Sequence, residues 1–449
     1  MAMTKTTRRQ LRTIRRRRLA LALAGVLAVP AVPAVAQNMP EAGSVVSGSA
    51  TINNAGFELI INQASQGAII DWGSFSIGAG YGVTFNQPNA SAVILNRVVG
   101  LLGPGYAPSI SNINGSLSAN GNVFILNPSG VVFGNNGTSD QINVGGLIAS
   151  TLWMNQGNFE SSVANGTPWI LFDNGVSTTS YVRNNGSIVA GAGGVGLVSP
   201  LVWNRGSITS NGGNILAGAG GQVTLDYDGD GLTQVTINVP STRDAVIVQD
   251  RFGTMTADGG LVALRTAATT AGTGGVIYAS GTIRAQTLSN VNGRVELTSN
   301  GGLVMLGAPG TFSDVTSSPF TEGHIDVSGG SNQTGGSVLV QGNSVLLVNN
   351  DATPFSPTNP LSVGSSIDAS GGGSGGQVLI QSATSVLGLA LSSIDARGVA
   401  NGDGGTIDVL AFGGSALLLG TTTADAGKAS GNGGRIRIGA TDNVAVGQA

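Results

Sequence analysis

The sequence predicts an all-β chain, a right-handed parallel β-helix built as a single elongated rod from about residue 40 to 449. Two short phrases that recur along the chain carry the prediction, together with an unusual composition. Glycine supplies 73 of 449 residues and charged residues only 10%, against about a quarter in ordinary soluble domains. Hydrophobic residues make up 41% and mean hydropathy is +0.23, which excludes a disordered glycine-rich polymer. Val, Ile and Leu come in short runs between Gly, Asn and Ser clusters, the pattern of many short strands joined by tight turns.

The first phrase is Gly-Gly-x-apolar-x-apolar. It occurs at Gly220–Leu225, Gly259–Leu264, Gly301–Leu306, Gly335–Val340, Gly375–Ile380, Gly404–Val409 and Gly433–Ile438. The second is a Ser/Gly step into Ile, at Gly186–Ala190, Gly206–Ser210, Ser280–Arg284, Gly323–Val327, Ser366–Ala369 and Ser393–Ala396. Each reads as a strand with apolar side chains on one face. Strands this short bury a continuous core only when stacked on like neighbours. The intervals read as one to two coils of roughly 20 residues, which at ~4.8 Å per coil implies a rod of about 90–100 Å. A membrane barrel fits poorly, because aromatics are 5% and the repeats fall short of the ~9–11 residues that a spanning strand needs.

Residues 1–36 read as a cleaved signal peptide. Lys5, Arg8, Arg9, Arg12 and Arg15–Arg18 precede an apolar run from Leu19 to Val35, and Ala34-Val35-Ala36 forms a small-x-small cleavage site before Gln37. Pro30 and Pro33 interrupt the run, which disfavours a membrane anchor. Thr7–Leu11 loosely resembles a twin-arginine signal, but the further arginines point to general basic character. Beyond residue 36, twelve basic residues face 23 acidic ones, a balance of −11. That disfavours nucleic acid and anionic membranes as partners. No cysteine is present, so no disulfide braces the fold.

Residues 67–152 carry a denser set of phrases: Gly67–Gly78, Val83–Pro88, Ser91–Val98, Gly115–Gly121, Val123–Gly134 and Ile142–Leu152. Together they closely resemble the two-partner-secretion domain of the filamentous haemagglutinin family of exoproteins. Asn127-Pro128-Ser129-Gly130-Val131 is similar to the family's Asn-Pro-Asn-Gly-Ile signature, departing at Ser129 and Val131. The family's second signature, Asn-Pro-Asn-Leu, is not found. The resemblance implies a secretion domain over 37–152 and glycine-rich β-helix repeats over 153–449. It also implies an outer-membrane translocator as partner, with Asn127, Pro128, Ser129 and Gly130 as the segment it recognises. Taken locally, Asn127–Gly130 is a strand-ending turn, since proline cannot donate to a ladder. Trp72, Phe75, Phe85, Phe124 and Phe133 are expected in the core.

Little in the sequence points to catalysis. His324 is the single histidine, it follows a glycine before a strand, and no nucleophile-elbow phrase accompanies it. Asp226, Asp228 and Asp230 occupy positions 1, 3 and 5 of a calcium-loop pattern with Gly231 at 6, but Ile237 stands where a bidentate acid is needed. A solvated turn is therefore favoured over a weak calcium site. Asp326, Asp368, Asp395 and Asp408 fall in outward strand positions. No cofactor is implied. The expected function is that of a secreted or cell-surface adhesin-like exoprotein whose receptor, on a host cell, glycan or matrix, is unknown. The alternatives are a haem-capturing or cytolytic effector on the same route, or a β-helical polysaccharide-degrading enzyme.

Overall fold

The computed structural model describes residues 39–101, 107–134, 141–173, 175, 180–228, 231–269, 274–289, 291–309, 320–348, 364–400, 402–427 and 431–448. The signal-peptide reading of residues 1–36 lies outside them. The unit from residue 38 onward is a parallel β-helix with three strand faces per coil. One ladder on the first face runs Leu59, Val83, Leu117, Ile142, Ile188, Ile208, Met255, Ile283, Ile325, Ile367, Ile394, Thr422. The second face stacks Ala68, Ile94, Val123, Leu147, Val195, Ile215, Val262, Val295, Val338, Val378, Ile407 and Ile436. The third stacks Val131, Val182, Val202, Ile247, Ile277, Val304, Val345 and Val386. Nearly all of these side chains are inaccessible to solvent and meet in one inner core. Each such branched side chain contributes about 1.5–3 kcal/mol on burial.

Each coil holds one strand per face, but coil length varies widely. Ile188 and Ile208 are one coil and twenty residues apart; Leu147 and Val195 are one coil and forty-eight apart. Twelve strands of the second face, from Gly67–Trp72 to Arg435–Ala440, therefore rise about 50 Å, near half the extent that 20-residue coils imply.

The two phrases map differently. Every copy of the Ser/Gly-Ile phrase lies on the first face. The Gly-Gly phrase reaches three places: Leu303–Leu306 on the third face, Gln222–Asp228 outside the helix, and the other copies on the second face. It marks a corner rather than a face.

The first turn of the solenoid is closed in the opposite sense. Ser44–Ser47 pairs antiparallel with Gly67–Trp72, and Ala50–Asn54 pairs antiparallel with Glu58–Gln63. A second layer lies over the outer side of the second face. It comprises the helix Gln156–Asn165 and the antiparallel strands Trp169–Phe172, Gln222–Asp228 and Gly231–Val239. The helix begins at Asn155, whose side chain accepts from the Asn158 amide, and ends at Gly166 with φ 64°. This layer closes a second core in which Ile69, Leu95, Phe124 and Ile148 meet Phe159, Trp169, Leu171, Val223 and Leu232. Phe124 and Trp169 stack edge-on at 5.0 Å. Of the aromatics expected in the core, Trp72, Phe75, Phe85 and Phe133 fill the inner core and Phe124 the outer one.

Candidate functional site

Strand Asn122–Leu126 is buried on both sides, by the inner core beneath and the second layer above. It stops at Asn127, because Pro128 has no amide hydrogen to continue the ladder. The Asn127 side chain then points inward and is fully buried. Its Nδ2 donates to the Ser109 carbonyl at 2.8 Å and to Ser111 Oγ at 2.9 Å, while its Oδ1 accepts from the Ser129 amide at 2.9 Å. Its own backbone amide donates to Ser150 O on the next coil, at 2.9 Å. The residue thus ties together consecutive coils at one corner.

Gly130 completes the turn. Its φ of 136° suits glycine, and an added Cβ would approach Tyr181 O at 3.1 Å. Ser129 is half-buried, and its hydroxyl has no partner among the described residues. Val131 is buried in the core, where a β-branched replacement for isoleucine costs little.

Neighbouring polar contacts brace the same coils. Trp72 Nε1 donates to Asn96 Oδ1 at 3.0 Å, and Asn96 Nδ2 donates to Phe124 O at 3.2 Å. Arg97 grips Asp71 through two bonds of 2.7 and 2.9 Å, with its guanidinium 5.3 Å from the Trp153 ring. In the second layer, Tyr227 Oη lies 2.8 Å from Asn122 Oδ1 and 2.6 Å from Gly193 O, with its single hydroxyl proton available to one or shared between them. Gln156 and Ser47 both donate to the Glu160 carboxylate, at 2.7 Å each, which lowers its pKa and links the helix to the first strand. The second layer was not read from the sequence. Its local signals in the sequence are the pairing of Asn155 and Gly166 as helix caps and the non-alternating strand Val93–Val98 beneath it.

A family model for the TPS secretion domain matches residues 36–313. The chain belongs to the TPS secretion domain family. The resemblance carried by residues 67–152 is thereby confirmed, and the match extends through the second layer. A solved TPS relative, the HMW1 secretion domain from Haemophilus influenzae, superposes with a TM-score of 0.69 at 25% identity, covering 91% of this chain and 99% of that one. Two heme/hemopexin-binding proteins of Haemophilus influenzae, one from strain ATCC 51907 / DSM 11121 / KW20 / Rd, are each 40% identical, over 118 and 115 residues. Those stretches are 26% and 25% of this chain but only 12% and 11% of the relatives, so the TPS chain aligns with a small part of each.

The remaining candidate residues are dispersed. Asp226 and Asp228 lie within strand Gln222–Asp228, opposite Gln234 and Gly231, rather than in an open loop. Asp230 and the Asp228 side chain lie outside the described residues. Among the described residues no three acidic, histidine or cysteine side chains are grouped for a metal. His324 Nδ1 is 2.8 Å from Ser366 Oγ, its register partner one coil on. Asp326, Asp368 and Asp395 stack in register, and each accepts from the amide two residues on at 2.9 Å, so they end strands. Asp408 instead pairs with Arg435 at 2.9 Å.

Proposed function

We propose that this chain is the exported member of a two-partner pair, passed across the outer membrane by a translocator barrel and acting outside the cell as an adhesin-like, non-catalytic exoprotein. The TPS family match is the observation that carries the proposal. The export determinant is assigned to residues 37–152, which hold the motif phrases, and the later coils are carried behind it. Asn127 is buried in the folded corner, so the translocator meets Asn127–Gly130 before that corner closes. Strand addition suits such an encounter, since main-chain hydrogen bonds give affinity with little demand on sequence. Coils that contact only their neighbours then fold in order as they emerge, which opposes backsliding.

The test is secreted against periplasmic protein, with the partner barrel present. Replacing Asn127 and Pro128 together by alanine is expected to hold the protein in the periplasm. Ser111→Ala removes a folded-state partner of Asn127 and leaves the motif intact, and is expected to export normally. Normal secretion of the double variant refutes a role for the turn, and secretion that survives deletion of 40–152 refutes the route.

The names of the two Haemophilus relatives favour a second reading, haem or hemopexin capture. The axial ligands typical of haem proteins are His, Met, Cys or Tyr. This chain has no cysteine, and His324 is half-buried against Ser366. Iron ligation would then fall to His324 or to the methionines and tyrosines, and the adhesin-like reading expects none.

A further inference from the structure

A groove of about 550 Å³ runs across the corner between the second and third faces in the C-terminal coils. It falls within the size range of small-ligand sites. Its walls come from four successive rungs: Thr298 and Asn300, then Gln341 and Asn343, then Gln381, then Phe412. Thr298, Gln341 and Gln381 share one register position on adjacent strands. Two of the rungs' neighbours are glycines and one is an alanine, which keeps the groove open. None of the lining side chains is charged.

Amides stacked in register usually bond to one another. They do so inside this protein: Asn184 Nδ2 donates to Asn204 Oδ1 and Asn204 Nδ2 to Gln249 Oε1, both at 2.8 Å, and all three residues are fully buried. The groove amides behave differently. The side chains of Asn300, Gln341, Asn343 and Gln381 have no partner among the described residues, so their donors and acceptors face solvent. Phe412 is 60% exposed at one end of the row, with no aromatic or cationic neighbour among the described residues. An exposed phenyl ring beside free amides and a hydroxyl offers a flat apolar face together with neutral hydrogen-bonding groups at the coil repeat.

We propose that this groove binds a neutral oligosaccharide, with one sugar ring stacked on Phe412 and its hydroxyls paired with Gln341, Gln381, Asn300 and Asn343. Sugars present alternating donor and acceptor hydroxyls, which primary amides match because each carries both functions. The C–H face of a pyranose takes the aromatic ring. The absence of lining charge selects against sulfated or carboxylated glycans. A peptide fits less well, because strands Arg294–Asn300, Ser337–Gly342, Gln377–Ser382 and Thr406–Ala411 already pair with one another and leave no free edge for strand addition. Most of the groove lies beyond residue 313, outside the span that the TPS family model matches. The inference rests on the groove's geometry and not on the export reading.

The experiment is calorimetric titration of the full secreted chain with neutral linear hexasaccharides (cellohexaose, chitohexaose, maltohexaose and mannohexaose). A chondroitin sulfate hexasaccharide and an unstructured peptide serve as comparisons. At least one neutral hexasaccharide is expected to bind. Phe412→Ala is expected to weaken it about tenfold, the scale of a lost aromatic contact. Gln341→Ala with Gln381→Ala is expected to weaken it at least as much, with circular dichroism unchanged because these side chains are exposed or half-buried. Failure of all four to bind overturns the proposal. So does binding confined to the sulfated sugar or the peptide, or binding of a neutral sugar that both variants leave intact.

Discussion

Asn127→Ala removes three hydrogen bonds at a buried corner, and the consequence can be worked from the geometry. Ser109 O and Ser111 Oγ lose their donor, and the Ser129 amide loses its acceptor. Ser111 is 1% exposed, so water does not readily replace what is lost. At about 1 kcal/mol per bond, more where a buried group is left unpaired, the cost is roughly 2–4 kcal/mol. Solenoid coils contact mainly their neighbours, so the loss should appear locally rather than as collapse of the whole chain. Hydrogen exchange read by mass spectrometry is the suitable assay. Amides of residues 109–113, 127–133 and 148–151 should lose protection by about 30- to 700-fold, the equivalent of that free energy. Amides of residues 377–411 should not change. Ser129→Ala, which removes only an unpartnered hydroxyl, should leave the corner as it was. A change below about threefold at residues 109–133 in Asn127→Ala would refute the view that this side chain fastens the coils.

Changing Asp226, Asp228 and Asp230 together to Asn should leave both export and the melting temperature close to wild type; a large drop in melting temperature when chelator is added to the unaltered protein would show that these residues hold a structural cation. Haem titration should give no sharp Soret shift of the kind that iron ligation produces, and a saturable one-to-one shift would move His324 or a tyrosine into an iron-binding role. Burial raises the Tyr278 pKa above its ordinary value of 10.0, so the fold favours the neutral phenol. That contribution is complete below pH 10 and is lost as pH rises through the raised value, so in an alkaline titration at 295 nm the signal removed by Tyr278→Phe should belong to the late-ionising part.

The fold class was legible because side-chain alternation repeats at every rung: Ile188, Ile208, Ile283, Ile325, Ile367 and Ile394 all sit on one ladder, each preceded by a small or polar residue. Coil length was not legible. The glycine pair reports a corner, and a coil has more than one corner, so spacing between copies does not count turns. The second layer escaped for a different reason. Gln156–Asn165 buries only Phe159 and Ser162, so it has almost no helical periodicity, and Trp169–Phe172 reads like any other short strand. Val93–Val98, buried on both sides, carried a hint, since a strand with solvent on one side would alternate. At the candidate site the sequence located the turn. The inward aim of Asn127 depends on Ser109, Ser111 and Ser150, which sit on adjoining coils and share no local pattern with it.

The unequal coils bear on how such a protein diversifies. Rungs that differ more than twofold in contour length still stack in register, so the ladder constrains only the few residues that stand on it. Many residues between rungs lie outside the inner core, and lengthening a loop there adds little entropic cost, about 0.6 kcal/mol per doubling. A lineage could therefore lengthen or shorten a loop between rungs without rebuilding the ladder, provided that residues closing the second core, such as Val223 and Leu232, are kept. That separates the ladder, which is held by register and packing, from the loops, which are freer to vary in length and sequence.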